Sequence, residues 1–367
     1  MVLPRIQDEL IELTETLIRI ASVHSRPAEI NRCAGVIGDW LDSFAISYDR
    51  HEHNQAPAIT VLPQDGFARV LLLTHFDVVE VNDPAQFEPR LVNGSLYGRG
   101  AIDDKYAAVL SLVLFKEHLA RLRAAGKEQR DMAFGLVITG DEELGGFSGA
   151  AHLARDLSAD FFIAIDGGRP DLIVTKEKGT ILLKLTATGR AAHAARPWLG
   201  KNGFTILADD YQRIRTLFAP TSDDHWHKTA VLTKCRAGNG STNIVPETAT
   251  ATFDIRYTDH DDADEIIASI RAAVQSDVTV LETGGIFDGG TSPYLDLLVQ
   301  HAGNPRIGFE HGASDARHFS TKGIPGVIWG GDGEMSQHTD QEHIVLESFF
   351  HCYDCLDRFL TEVGGSP

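Results

Sequence analysis

The sequence has few cysteines, few basic side chains and no long apolar run, and each shortage excludes a class of protein. Four cysteines in 367 residues are too few for a disulfide framework. Lysine and arginine number 33 against 52 acidic side chains, a formal net charge of −19, so general binding to nucleic acid is not expected. The amphipathic N-terminus resembles neither a signal peptide nor a membrane span. We therefore expect a cytoplasmic protein that binds neither nucleic acid nor a membrane.

Strand patterns and helical patterns alternate in the first and last parts of the chain, whereas the middle differs. The alternation predicts an α/β domain with a mostly parallel central sheet. In the middle, half-exposed alternating strands with two helical segments indicate an inserted α+β domain. We place the catalytic α/β domain at residues 1–177 and 288–367, and the inserted domain at residues 178–287.

Histidine and carboxylate side chains recur after predicted strands or turns, and His75, Asp141–Glu143 and Asp166 fall at or just after strand ends. Chemistry in α/β sheets gathers at the carboxyl ends of the strands. Taken singly, each group has a plain structural explanation, such as a hydrogen-bonded histidine or an acidic turn. The groups are His75 and Asp77 in "LLLTHFDVV", Asp103 and Asp104 in "YGRGAIDDK", Glu142 and Glu143 in "TGDEELGG", Asp166 in "AIDGG" and His338 in "GEMSQHTDQEH".

Together, these side chains supply two nitrogen donors and at least three oxygen donors. Such a set can hold two divalent ions that share one carboxylate and one water. Adjacent glutamates in an irregular turn can point apart, so that one binds an ion while the other takes a proton from the water. Because alternate residues of a strand share a face, we interpret His75 as a ligand and Asp77 as the carboxylate that orients it.

The order of these motifs resembles the M20 metallopeptidases over nearly the whole chain. The shared pattern is H-x-D, G-R-G-x-x-D-D-K, D-E-E, an acidic residue after the next strand, and a late histidine. The resemblance implies two Zn²⁺ or Co²⁺ ions per subunit, a bridging Asp103 joined to Asp104 by a cis peptide bond, and Glu142 as general base and later acid. The other implied ligands are His75 and Asp166 for one ion and Glu143 and His338 for the second.

The inserted domain also resembles a part of that family, its lid and dimerisation domain. The resemblance implies a homodimer in which His193 reaches the active site of the partner subunit and steadies the oxyanion. It further implies that Asn243 and Arg256 contact the substrate carboxylate, a task that suits an arginine fork. At Asp166 the chain departs from the glutamate of many members, although the oxygen donor is kept.

The resemblance implies hydrolysis of the N-acetyl amide of an amino acid. The leading expectation is conversion of N-acetyl-L-citrulline to L-citrulline and acetate in arginine biosynthesis. The second alternative is acetylornithine deacetylation, and the third is dipeptidase or aminoacylase activity. A non-catalytic binding protein of the same fold would lack Glu142 or Asp103, and both are present. A nucleotide-dependent oxidoreductase would need a glycine-rich turn after the first strand, which the sequence does not show.

Overall fold

The computed structural model describes residues 2–64, 66–166 and 169–365. The described residues group into two compact units, which we treat separately. The first comprises Met1–Lys176, Phe287–Phe309 and Ser314–Pro367, and the second comprises Glu177–Ile286 and Glu310–Ala313. The domain boundaries that we placed at residues 177/178 and 287/288 stay a prediction. They do not include the short segment Glu310–Ala313 of the second unit.

The helices and strands of the described residues are numbered in chain order. The helices are α1 (Pro4–Ile18), α2 (Pro27–Ser43), α3 (Lys105–Ala124), α4 (Ala150–Leu153), α5 (Gly203–Leu217), α6 (Ala263–Ala273), α7 (Pro293–His301), α8 (Ala316–Ser320) and α9 (Leu346–Gly364). The strands are β1 (Asp49–His53), β2 (Ala56–Val61), β3 (Phe67–His75), β4 (Arg90–Val92), β5 (Ser95–Tyr97), β6 (Phe134–Thr139), β7 (Ser158–Ala164), β8 (Leu172–Glu177), β9 (Gly179–Thr188), β10 (Ala192–His193), β11 (Thr229–Ala237), β12 (Ile244–Val245), β13 (Thr248–Tyr257), β14 (Asp277–Gly284), β15 (Phe287–Asp288), β16 (Arg306–Glu310), β17 (Gly326–Ile328) and β18 (His343–Val345).

The first unit is built on a mixed sheet with a parallel centre. Its strand order is β1-β2-β6-β3-β7-β17-β8-β15, and β16 also pairs with β8. The four central strands, β6-β3-β7-β17, are parallel, whereas β1-β2, β2-β6 and β17-β8 are antiparallel. The predicted α/β fold class is confirmed, and the antiparallel strands lie at the flanks of the parallel centre.

The central strands are apolar because helices cover both faces of the sheet. On β3, Val70 and Leu72 pack into the large core cluster that includes α3 and α9. The intervening Leu71 and Leu73 pack into a smaller cluster that includes α4 and α8. Burial on both faces explains the nearly continuous apolar run of this strand. The run ends at His75, which is thereby carried to the carboxyl edge of the sheet.

The second unit is a four-stranded antiparallel sheet with two helices packed against it. The strand order is β11-β13-β9-β14, with antiparallel pairing throughout. Burial alternates along β9 and β13, as expected for strands with only one covered face. The buried residues of α5 and α6 join the inward side chains of these strands in one core cluster.

Disulfide bonds and membrane-spanning helices are both absent from the part of the chain that the structure describes. All four cysteines are free thiols, and Cys352 and Cys355 are buried on α9. Their C-x-x-C spacing therefore belongs to the packed face of a helix. None of the described helices combines the length and the apolar character needed to cross a bilayer.

An ion-pair cluster between α3 and α9 predicts a pH-dependent contribution to stability. Burial alone would raise the pKa of Asp357, but His118, at 3.0 Å, and Arg121 hold that pKa below its ordinary value. Its stabilising effect should therefore be present above pH 4 and be lost as the pH falls through the folded-state pKa. We expect Asp357→Asn to lower the free energy of unfolding at pH 7 by about 1 kcal/mol.

Urea unfolding at pH 7 and at pH 3.5 measures this difference. The difference in free energy of unfolding between wild type and Asp357→Asn should be smaller at the lower pH. The exposed control Asp39→Asn should have nearly the wild-type free energy of unfolding at both pH values. An equal difference in free energy of unfolding at both pH values would contradict the ion-pair explanation.

Candidate metal centre

Polar side chains meet at the carboxyl ends of the central parallel strands. His75 ends β3, and Asp166 follows the end of β7 by two residues. Because β3 and β7 are parallel neighbours, with Leu73 opposite Ala164, these two side chains reach the same edge of the sheet. Glu142 begins a short 3-10 turn, Glu142–Leu144, after the adjacent strand β6.

Two groups of side chains in this region could each hold a cation, and they share Asp103. In the first group, His75 Nε2 lies 3.1 Å from Asp103 Oδ1 and 3.8 Å from Asp166 Oδ1. In the second, His338 Nε2 lies 3.0 Å from Asp103 Oδ2 and 3.3 Å from Glu143 Oε2. Each oxygen of Asp103 therefore faces a different histidine. The structure brings together the five side chains that the sequence motifs select as ligands.

The donor atoms fit divalent metal ions. Glu143 Oε1 is buried without a hydrogen-bond partner among the described residues, although buried polar atoms are normally satisfied. Ligand atoms around a tetrahedral zinc ion lie about 3.3 Å apart. The observed separations of 3.0 to 3.8 Å are close to this value. Nitrogen and carboxylate oxygen together suit zinc and its neighbours in the transition series.

The clustered carboxylates dominate the electrostatics of the site. Burial opposes a charged imidazole at His75, but Asp103 and Asp166 raise its pKa well above the ordinary value. Hydrogen bonds to Asp103 and Glu143 raise the pKa of the half-exposed His338 to about 10. The same carboxylates would stabilise a cation bound in place of these protons.

Glu142 lies beside the first group without belonging to it. Its Oε2 is 3.9 Å from His75 Nε2. Burial, together with repulsion from Asp166, raises the pKa of Glu142 well above its ordinary value. A carboxylate with a raised pKa holds a proton more readily at neutral pH, which suits a group that must take a proton and later return it.

Asp77 contacts both His75 and the turn that carries Glu142 and Glu143, which we call the glutamate turn. This fully buried carboxylate accepts hydrogen bonds from the backbone N–H groups of Glu142, at 3.2 Å, and Glu143, at 3.0 Å. His75 Nδ1 lies 3.4 Å from Asp77 Oδ1 and 3.1 Å from the Asp77 carbonyl. Burial opposes ionisation, but His24 and His75 lower the pKa of Asp77 to about 2. An ionised Asp77 can orient both neighbours, although its role stays a prediction.

Two contacts around these residues were not predicted from the sequence. His24 Nε2 lies 2.9 Å from Asp77 Oδ2, yet His24 is in an irregular segment without a recognisable motif. Asp315 is buried and its Oδ2 accepts a hydrogen bond from Thr139 Oγ1 at 2.9 Å. It lines a small cavity with Glu142, and burial raises the pKa of Asp315 to about 7. Only the tertiary structure reveals these two neighbours.

Asp104 is a further buried carboxylate next to the shared ligand. The peptide bond between Asp103 and Asp104 is cis, as the family resemblance implied. The Asp104 Oδ2 accepts a hydrogen bond from the backbone N–H of His75 at 3.2 Å. The segment that carries Asp103 is thus hydrogen-bonded to the end of β3, where His75 lies.

The three remaining candidate residues lie in the second unit. His193 is exposed on β10, which pairs with β12, and the neighbouring Ala194 N–H donates to the Asn243 carbonyl at 2.9 Å. His193 and Asn243 are therefore close to each other. Arg256, on β13, donates to both oxygens of Asp254 at 2.7 and 3.1 Å. The roles of all three in catalysis or substrate binding stay predictions.

Histidine and carboxylate groups that share one aspartate at the edge of an α/β sheet define a site for metal-dependent hydrolysis. The chain matches peptidase family M20/M25/M40 over residues 71–362, and it belongs to that family. It is 29% identical to the succinyl-diaminopimelate desuccinylase of Gluconacetobacter diazotrophicus, over 79% of this chain and 80% of that protein. The protein is therefore a metal-dependent amidohydrolase or peptidase that acts on small-molecule amides.

Solved structures share the fold over nearly the whole chain. The M20 family metallo-carboxypeptidase Sso-CP2 from Sulfolobus solfataricus matches with a TM-score of 0.80 at 16% identity, covering 97% of this chain and 99% of that one. Human carnosine dipeptidase 1 matches with a TM-score of 0.72 at 13% identity, covering 98% and 97%. At these identities the likeness concerns the fold alone.

The contacts of Asp77 predict the effect of changing it. Asp77→Asn keeps the size of the side chain but removes the charge and one of the acceptor oxygens that serve His75 and the glutamate turn. We expect metal affinity to fall about 10- to 100-fold, as for other residues that orient ligands. Equilibrium dialysis against buffered Zn²⁺ measures it, with the exposed Asp8→Asn as the control. Wild-type affinity in Asp77→Asn would show that Asp77 does not orient the ligands.

Proposed function

We propose that the protein is a binuclear metal-dependent enzyme that hydrolyses the N-acyl amide of an amino acid. The observation that carries the proposal is the position of Asp103, whose two oxygens lie 3.1 and 3.0 Å from two different histidines. A shared carboxylate of this kind is suited to bridge two ions. Glu142, which belongs to neither group, is near enough to serve the reacting water.

The proposed division of labour assigns one task to each residue. Two divalent ions, Zn²⁺ or Co²⁺, would supply activation of a water as nucleophile and polarisation of the acyl carbonyl. Glu142 would take the proton of that water and deliver it to the leaving amine. Asp77 would keep the ligand set in place. The ligands would be His75 and Asp166 for one ion, Glu143 and His338 for the other, and Asp103 for both.

N-acetyl-L-citrulline is the substrate that we put first, with L-citrulline and acetate as products and a place in arginine biosynthesis. The overall resemblance of the sequence to N-acetyl-L-citrulline deacetylase supports this choice. The desuccinylase relative supports N-succinyl-diaminopimelate as the second candidate. Both compounds are N-acylated α-amino acids, so the same water attack and the same proton transfer would act on either.

Amine release from matched substrates tests the proposal. Metal-stripped and Zn²⁺- or Co²⁺-reloaded protein would be assayed with N-acetyl-L-citrulline, N-acetyl-L-ornithine and N-succinyl-diaminopimelate. We expect metal-dependent turnover with the highest kcat/KM for the citrulline compound. A higher kcat/KM for the succinyl compound would change the proposed substrate but leave the proposed reaction in place. The absence of metal-dependent turnover of every acyl amino acid would contradict the proposed reaction.

The proposed proton transfer predicts a specific defect in a Glu142 variant. Glu142→Gln keeps the shape of the side chain but cannot accept a proton, so kcat should fall about 10²- to 10⁴-fold. Zinc content should stay at the wild-type value, because Glu142 is not proposed as a ligand. The exposed Glu52→Gln is the matched control. A variant that loses zinc together with activity would instead identify Glu142 as a ligand.

We also propose that the protein is a homodimer joined through the inserted domain, with His193 completing the site of the partner subunit. His193→Ala should then depress turnover while metal content stays unchanged. A mixture of His193→Ala and Glu142→Ala chains contains heterodimers with one intact site each. After random exchange of subunits, activity should return to about a quarter of the wild-type value. No recovery would contradict a shared site.

A further inference from the structure

A buried ion pair outside the ligand set joins two of the ligand-bearing loops. Arg99 Nη1 donates to Glu342 Oε2, and the two side chains are 2% and 1% exposed. Arg99 lies two residues after β5, and Glu342 immediately precedes β18. These strands pair, with Tyr97 opposite His343. The ion pair therefore lies where the loop leading to one ligand and the loop leaving another come together.

Glu342 holds the backbone that leads to Asp103. Its Oε1 accepts a hydrogen bond from the Gly100 N–H at 2.7 Å, and lies 3.5 and 3.4 Å from the backbone nitrogens of Ile102 and Asp103. Three backbone N–H groups of this segment thus converge on one buried oxygen. Glu342 also accepts, through its carbonyl, a hydrogen bond from the Gly98 N–H at 3.0 Å. Glu342 therefore contacts the chain between residues 98 and 103 through both its carboxylate and its carbonyl.

Arg99 makes the reciprocal contact to the loop that carries His338. Its Nη2 donates to the carbonyl of Thr339, at 3.3 Å, and to Gln86 Oε1, at 3.2 Å. Gln86 in turn donates to Asp340 Oδ1 at 2.7 Å. His338 has a φ of +61°, a left-handed backbone that is uncommon for residues other than glycine. Arg99 and Gln86 thus contact the two residues that immediately follow the histidine.

We propose that Arg99 and Glu342 are positioning residues that bring Asp103 and His338 to the same metal ion. The inference rests on the proposed binuclear site. Neither side chain is part of the ligand groups. Replacing a buried ion pair by apolar side chains is often neutral or stabilising, so stability alone gives little reason for two charges here. Apolar side chains could not, however, make the hydrogen bonds that fix both loops.

The proposal predicts a defect confined mainly to one ion. His75 and Asp166 are carried by β3 and by the end of β7, and these do not depend on the ion pair. The ion assigned to Glu143 and His338, by contrast, relies on both joined loops. Loss of the pair should therefore weaken the second ion much more than the first.

Zinc stoichiometry and affinity measured by equilibrium dialysis test this inference. Glu342→Gln keeps an oxygen for the three backbone donors but removes the charge that pairs with Arg99. We expect the ion at Glu143 and His338 to bind about 10- to 100-fold more weakly, and the ion at His75 and Asp166, which depends on the pair only through the shared Asp103, to lose much less affinity. Arg99→Lys keeps the charge but loses the fork, so it should show the same defect to a smaller extent. Circular dichroism shows whether each variant is folded, and if Glu342→Gln does not fold, Arg99→Lys tests the inference by itself.

The matched control is Glu117→Gln, which breaks another ion pair between distant parts of the first unit. Arg5 donates to both oxygens of Glu117, at 3.1 and 2.7 Å, and this control should bind both ions as wild type does. Wild-type affinity for both ions in the folded Glu342→Gln and Arg99→Lys variants would overturn the inference, as would equal weakening of both ions. A wild-type protein that binds a single ion would overturn the binuclear function itself, and the inference with it.

Discussion

The structure depends on one carboxylate, Asp103, whose two oxygens face two different histidines. Gathering so many acidic groups in a buried pocket is unfavourable unless positive charge is present. Protons supply that charge in the raised pKa values of His75 and His338, and divalent ions would supply more of it. The carboxylates at this edge of the sheet therefore favour the binding of cations.

The fold meets this constraint by holding each ligand through its backbone. His75 and Asp166 are placed by the ends of parallel strands, whose spacing the sheet sets. Asp103 and His338 lie in loops, and Glu342 and Arg99 hold these loops by hydrogen bonds to main-chain groups. The glutamate turn is held in the same manner, by hydrogen bonds from its N–H groups to Asp77. Catalytic side chains are thereby left free to act on ions and substrate.

Much of this arrangement could be predicted from the sequence, because the candidate ligands occur in short motifs and some of them lie at strand ends. The α/β class and the mostly parallel central sheet both followed from the alternation of strand and helix patterns. The supporting contacts could not be predicted: the 2.9 Å approach of His24 to Asp77 and the pairing of Arg99 with Glu342 each join segments far apart in sequence. The pairing of Arg256 with Asp254 also shows that an arginine chosen for a substrate can have a partner within its own strand. The substrate side chain leaves no local motif, because its recognition depends on the shape of a pocket.

The central claim is that Asp103 belongs to both ions, and zinc stoichiometry in three single variants tests it most directly. Asp166→Asn and His338→Ala each remove a ligand from one group only, so each should retain one tightly bound Zn²⁺ per chain. Asp103→Asn should weaken both ions together, because one residue leaves both groups. An Asp103→Asn protein that retained one ion at wild-type affinity would contradict the shared carboxylate.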